Sequence, residues 1–209
     1  MAAMVFSFDI GNTLLQGAAA GGYCTHFSRH VGISFEELRP VFNECFLSLK
    51  QPIEDATRMA CDMIGFSQPE AVVRCYHPEA PQVFSDAIPC LTRLREAGAK
   101  TIAVSNCSPW EASGLEELGL TQLLDEVVYS FQAGSVKPEA AIFQHALSRL
   151  GADPCDVTHI GDSWRADVKG ALNAGWNAIF LDRRKTPGRQ DHRDERVQMV
   201  HSLAEIAPL

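Results

Sequence analysis

The chain has 209 residues, with 18 Lys+Arg against 26 Asp+Glu and a net charge of −8. That length suits one domain, or one domain carrying a smaller insertion, and 46% hydrophobic residues suffice for a core, which argues against disorder of the whole chain. The acid excess disfavours a nonspecific nucleic-acid binder, and no apolar run approaches the roughly 20 residues that span a bilayer.

The start, Met1 to Asp9, has no basic region ahead of its apolar run, so no secretory signal is expected. The seven cysteines are dispersed, odd in number and without a C-x-x-C pair. Reduced, mostly buried thiols in a cytoplasmic protein are the expectation. The histidines form no zinc-type cluster.

Met4–Phe8 reads as a short strand ending at Asp9, followed by a turn at Gly11-Asn12 and a flexible hinge through Gly17 to Gly22. Tyr23–Val31 reads as a helix. Phe35, Leu38, Val41, Phe42, Cys45, Phe46 and Leu49 then recur at helical spacing, and Ser34 with Glu37 forms a capping box ahead of them. Pro52–Ile64 and Ser67–Tyr76 are two further helices, so residues from 17 to about 81 carry no strand signal.

After Pro81 the pattern alternates. Helices are expected at Ala87–Ala97, Trp110–Leu118, Ala140–Leu150 and Asp167–Ala174, and strands at Thr101–Val104, Glu126–Ser130, Val157–Ile160 and Ala178–Leu181. Arg183–Arg196 is polar and reads as a loop, before a last edge strand at Arg196–Val200 and a helical turn at Ser202–Ala207. Repeated strand–helix units predict an α/β fold, a doubly wound parallel sheet of Rossmann-like type, with a small helical cap inserted after the first strand. Residues 1–16 and 82–209 form the core and residues 17–81 the cap.

Such sheets bind ligands at the carboxyl ends of their strands. Asp9, Ser105, Lys137 and Asp162 all fall at or just beyond strand ends, with Asp167 close behind. Two carboxylates on one edge repel unless a cation sits between them, and Mg²⁺ takes oxygen ligands. Lys137 adds positive charge, Ser105 a hydroxyl, and the turn after it backbone N–H groups. That set makes a phosphate pocket in which Asp9 can attack phosphorus as a covalent nucleophile.

Four stretches agree in order and spacing with one known family: Val5-Phe-Ser-Phe-Asp9-Ile-Gly-Asn-Thr13, Lys100-Thr-Ile-Ala-Val-Ser105-Asn106, Gly134-Ser-Val-Lys137-Pro-Glu, and Ile160-Gly-Asp162-Ser-Trp-Arg-Ala-Asp167. The chain resembles the haloacid dehalogenase-like (HAD) hydrolase superfamily, in its helical-cap, phosphatase-like subgroup. The resemblance implies an Mg²⁺-dependent hydrolase of a small phosphorylated metabolite, acting through an aspartyl-phosphate at Asp9. It implies that Asp9, the Gly11 carbonyl and Asp162 hold Mg²⁺, with Ser163 and Asp167 in or near the second shell. Ser105 and the Asn106 amide would bind the phosphoryl oxygens, and Lys137 would clamp nucleophile and phosphate. No nucleic-acid or membrane partner is expected.

One position departs. The phosphatases of this superfamily carry a second Asp two residues after the nucleophile, which protonates the leaving group and then activates water. Here that position is Gly11. Three explanations stand open: water or another group substitutes, as in a related Asp-x-Gly-Asn subset that includes sugar-phosphate phosphatases; the leaving group needs little acid help; or the chain is a catalytically impaired member with a binding or regulatory role. A dehalogenase fits less well, because it needs no Gly-Asp-Ser metal segment. A phosphonate-cleaving lyase would need a buried cap lysine, for which only Lys50 is available. Tyr23, His26 and Phe27 are candidates to face the pocket, His26 as a replacement proton donor. Trp110 and Trp164 are candidates to flank its mouth.

Overall fold

The computed structural model describes residues 4–16, 22–78, 80–185 and 194–207. The hinge expected through Gly17 to Gly22 lies outside the described residues apart from Gly22, as does most of the polar loop before Arg196. Strand β1 (Val5–Phe8) is followed by β2 (Leu15–Gln16), then by helices α1 (Gly22–Val31), α2 (Phe35–Phe42), α3 (Ile53–Ile64) and α4 (Pro69–Arg74). The chain returns through β3 (Gln82–Val83), α5 (Ala87–Glu96), β4 (Lys100–Ser105), α6 (Ser113–Glu117), β5 (Glu126–Tyr129), α7 (Ser130–Ala133) and α8 (Ala140–Leu150). It continues with β6 (Val157–Gly161), α9 (Lys169–Asn173), β7 (Asn177–Leu181) and β8 (Val197–Val200).

Six of these strands form one parallel sheet in the order β5-β4-β1-β6-β7-β8. Alternate residues of β1 face opposite sides. Phe6 and Phe8 pack with Ala87, Leu91 and Leu94 of α5 on one face. Val5 packs with Ile142, Phe143 and Ala146 of α8 on the other. Burial on both faces explains why β1 and β4 are nearly continuous apolar runs. The architecture is therefore the expected α/β parallel sheet, wound on both sides. Because β1 is flanked by β4 and β6, the ends of these three neighbours meet in one crevice.

The helices between β2 and β3 build a separate apolar cluster around Tyr23, Phe27, Leu38, Phe42 and Phe46. Its entry and exit are paired: β2 and β3 are antiparallel, with Leu15 opposite Val83 and Gln16 opposite Gln82. The capping box is present, Glu37 N–H donating to Ser34 Oγ and Ser34 N–H to Glu37 Oε2. The helix it starts is shorter than its apolar spacing suggests, because Pro40 lies inside α2 and residues Asn43–Leu47 continue as a π-helical turn. Pro40 has no N–H to donate, which weakens the ladder there. A second π-helical turn, Trp164–Val168, precedes α9, where one continuous α-helix from Asp167 is the sequence expectation.

The helix expected over Trp110–Leu118 forms only as α6, Ser113–Glu117. Ser108 to Glu111 is a turn instead, closed by Glu111 N–H to Ser108 O at 3.1 Å. It leans on the insertion: Glu111 Oε1 accepts from Tyr23 N–H at 3.1 Å, and Trp110 packs edge-on to Tyr23 and Phe46.

Candidate active site

Asp9 follows the end of β1, and its N–H donates to Ile160 O of β6 at 2.8 Å, so the neighbouring strand fixes its backbone. Lys137 Nζ is the centre of the site. It donates to Asp9 Oδ1, Asp167 Oδ1 and Val104 O, each at 2.7 Å, and its side chain is buried. Those three bonds use all three ammonium protons. The backbone of Lys137 is held by Asn106, whose Oδ1 accepts from Lys137 N–H at 2.7 Å and whose Nδ2 donates to Lys137 O at 2.9 Å. The Asn106 side chain is thus committed to placing the lysine, a role that spacing alone does not reveal.

Asp167 is reached from three directions. Its Oδ1 accepts from Lys137, and from His159 Nε2 at 3.2 Å, while its Oδ2 accepts from Ser163 N–H at 2.8 Å. Gly161 is required for this approach, since a Cβ there would lie 2.3 Å from the Asp167 carboxyl carbon. His159 Nδ1 lies 2.8 Å from Ser7 Oγ. An ionised Asp167 needs a donor, so Nε2 carries the proton and Ser7 donates to Nδ1. Burial lowers the His159 pKa and keeps the ring neutral. Ser7 and His159 escape sequence reasoning because only the β1–β6 register, Ser7 opposite His159, brings them together.

Asp162 completes the acidic group: carboxylate oxygens of Asp9, Asp162 and Asp167 all lie within 4.8 Å of one another. Asn12, in the left-handed region at φ 55°, lies beside Asp162 and its side chain acts to lower the Asp162 pKa. Burial, opposed by Lys137 but aided by Asp167 and Asp162, pushes the Asp9 pKa up to about 7. Burial and the Asp167 charge push Asp162 up to about 6. Burial would raise Asp167 as well, but Lys137 and His159 hold it well below the usual carboxylate range. Lys137 stays charged, because Asp167 and Asp9 outweigh its own burial.

One ammonium therefore faces three carboxylates, and the two with the fewest donors are the two whose pKa rises. That imbalance suits a hard divalent cation with oxygen ligands. Asp9 and Asp162 could each offer a carboxylate oxygen. Gly11 could add its carbonyl, because the bridge from Gly11 to Leu15 uses Ile10 O and Asn12 N–H instead.

A cavity of about 330 Å³ opens over this group, between the sheet edge and the helical insertion. Ser105, Asn106, Gly11 and Ser163 line it together with Asp9, Lys137 and Asp162. The expected cap residues do not. Tyr23 and Phe27 are buried in the insertion's own cluster, and His26 Nε2 meets Val72 O at 2.8 Å inside it. Trp110 packs on that cluster and Trp164 edge-on to Phe180, so neither lines the cavity. Lys50 is exposed and away from the cavity, which removes the buried lysine that lyase chemistry would need. The roof comes instead from Phe35, Arg39, Phe42 and Asn43, which share one side of α2 and its π-helical extension.

The sequence model of the haloacid dehalogenase-like hydrolases matches residues 3–175. The chain belongs to this family. Among curated relatives, this HAD hydrolase is 32% identical over 129 residues to a glyceraldehyde 3-phosphate phosphatase of Methanothermobacter thermautotrophicus, a match covering 60% of the chain and 56% of the relative. It is 35% identical over 117 residues to the protein of the same name from Methanopyrus kandleri, covering 54% of the chain and 49% of the relative. The matches span about half the length of these relatives. Among solved structures, a HAD phosphatase from Thermococcus onnurineus superposes with a TM-score of 0.63 at 26% identity, covering 97% of this chain and 95% of that one.

Proposed function

We propose that this HAD hydrolase cleaves small phosphomonoesters through an aspartyl-phosphate at Asp9, with Mg²⁺ held by Asp9, the Gly11 carbonyl and Asp162. The observation that carries the reading is Lys137 Nζ bridging Asp9 and Asp167 at 2.7 Å each within the three-carboxylate group. Lys137 opposes the rise that burial imposes on the Asp9 pKa, aims its carboxylate and offsets charge on the phosphoryl oxygens. An Asp9 oxygen bonds to phosphorus as the ester oxygen departs with the electron pair of the P–O bond. Water then attacks the aspartyl-phosphate, releasing inorganic phosphate and regenerating the carboxylate. Bound Mg²⁺ supplies charge neutralisation for the transferring group. Ser105 and the amide after it hold phosphoryl oxygens at the end of β4. Residues 17–81 act as a cap that shields the reacting group from bulk water. The names of the phosphatase relatives point to the same class of reaction.

Gly11 decides which substrates react well. No carboxylic acid stands at that position to protonate the departing oxygen, so weakly basic leaving groups are favoured. Acetyl or aryl phosphates are expected to turn over faster than alkyl phosphates by more than their chemistry in water dictates. Gly11→Asp should raise the alkyl rate by about 10²-fold or more while changing the acyl rate little, as measured by steady-state phosphate release. Gly11 also favours a second reading, an impaired member with a binding or regulatory role. No phosphate release from any of these esters, with no trapping of beryllium fluoride at Asp9, would favour it over hydrolysis.

None of the described helices is long and apolar enough to cross a membrane. All seven cysteines are free, which fits a reducing, cytoplasmic setting.

A further inference from the structure

We propose that Arg39 and Arg165 form a second anion site in the cavity, and that the substrate class is a phosphomonoester bearing a further anionic group, carboxylate or phosphate. This rests on the phosphohydrolase reading above and says what the rest of the substrate looks like. Both arginines line the cavity, Arg39 from α2 and Arg165 from the turn that follows Asp162.

Arg39 is arranged in advance. Its Nε and Nη2 donate to the two carboxylate oxygens of Glu36, one helical turn back, and its guanidinium lies over the Phe35 ring at 5.5 Å from the centroid. Glu36 therefore occupies one edge of the fork. Nη1 makes no hydrogen bond to any described residue, which leaves donors for an incoming anion. Arg165 approaches from the sheet side closely enough for its charge to act on Glu36. Two guanidinium groups against the one Glu36 carboxylate leave net positive charge there. The lining also includes the apolar Ile10, Phe42 and Leu47, which offer an anion nothing, and Glu111, whose carboxylate already accepts from Tyr23 N–H and Ser108 Oγ. A ligand with anions at both ends fits this polarity, and a volume of about 330 Å³ confines it to a small metabolite.

The test uses two matched pairs: 3-phosphoglycerate against glycerol 3-phosphate, and fructose 1,6-bisphosphate against fructose 6-phosphate. The wild-type protein with Mg²⁺ should show a kcat/KM about ten- to a hundredfold higher for the anionic member of at least one pair, expressed mainly in KM. The pair that shows it tells carboxylate from phosphate. Arg39→Ala and Arg165→Ala should each bring that ratio towards one, and Arg39→Lys should retain part of it. Arg165 is exposed, so its variant keeps the test intact if Arg39→Ala does not fold. Turnover of both members at equal kcat/KM, or a ratio unchanged in both alanine variants, would overturn the second site and leave the phosphohydrolase reading standing. No turnover of any of these four compounds or of p-nitrophenyl phosphate would sink the phosphohydrolase reading, and this inference with it.

Discussion

Lys137 at the sheet edge and Tyr23 in the helical insertion are both buried polar residues, and they are satisfied by opposite means. Lys137 is charged and sits between two carboxylates and a carbonyl. Tyr23 is neutral, its pKa pushed up to about 12 by burial. Its hydroxyl passes a hydrogen bond to Thr57 Oγ1 at 2.6 Å, and Thr57 donates to Ile53 O. Around Tyr23 lie aromatic rings; around Lys137 lie groups that titrate. The edge is thus specified by charge and answers to protons, cations and single substitutions. The insertion is specified by shape, where most side chains serve packing and a few reach the cavity.

The sharpest way to break that contrast is Lys137→Met. It leaves Asp9 and Asp167 without their shared cation while keeping a similar volume. Turnover should fall by about 10²–10³-fold, and breaking the buried pair should cost about 3–5 kcal/mol in urea unfolding. A loss confined to activity, with stability intact, would mean that the edge is less dependent on charge than described.

The second contrast is with pH. In the metal-free protein the folded state holds protons on Asp9, whose pKa is about 7 against 3.8, and on Asp162, at about 6 against 3.8. The native state then binds more protons than the unfolded chain, so this contribution to stability is full below pH 3.8 and is lost as pH rises through about 6 and 7. Mg²⁺ should restore it at neutral pH by replacing the protons. Asp9→Asn should stabilise the metal-free protein more at pH 7.5 than at pH 5, as read by thermal melts in chelator. An equal effect at both values would contradict the charge imbalance. The smallest change is expected in the insertion: His26→Ala should cost about 1–2 kcal/mol through the lost bond to Val72 O and leave turnover within about threefold.

Much of this architecture is legible in the residues, for reasons that differ by element. The strand β1 and helix α8 are bounded by Asp9 and Gly151, residues that punctuate backbone, and the structure ends both elements there. The capping box works at three-residue range and needs no tertiary knowledge. The ribbon of β2 and β3 is invisible, because two-residue strands carry no period and pair across the whole length of the insertion. The π-helical turns also escape, since a widened turn has no residue code. At the edge, Asp9, Lys137 and Asp162 stand out by position and type. Ser7, His159 and the Asn106 side chain do not, because their partners come from register and loop docking. Arg39 and Arg165 read as solvated surface charges until α2 is laid over the crevice.

The most direct test of the whole account is chemical capture at Asp9. The protein is mixed with acetyl phosphate and Mg²⁺, quenched in acid during turnover and treated with borohydride, which reduces an aspartyl-phosphate to homoserine. Peptide mass spectrometry should find homoserine at position 9 alone, dependent on substrate and absent from Asp9→Asn. Rapid phosphate release with Asp9 unmodified, or with another carboxylate reduced in its place, would contradict it.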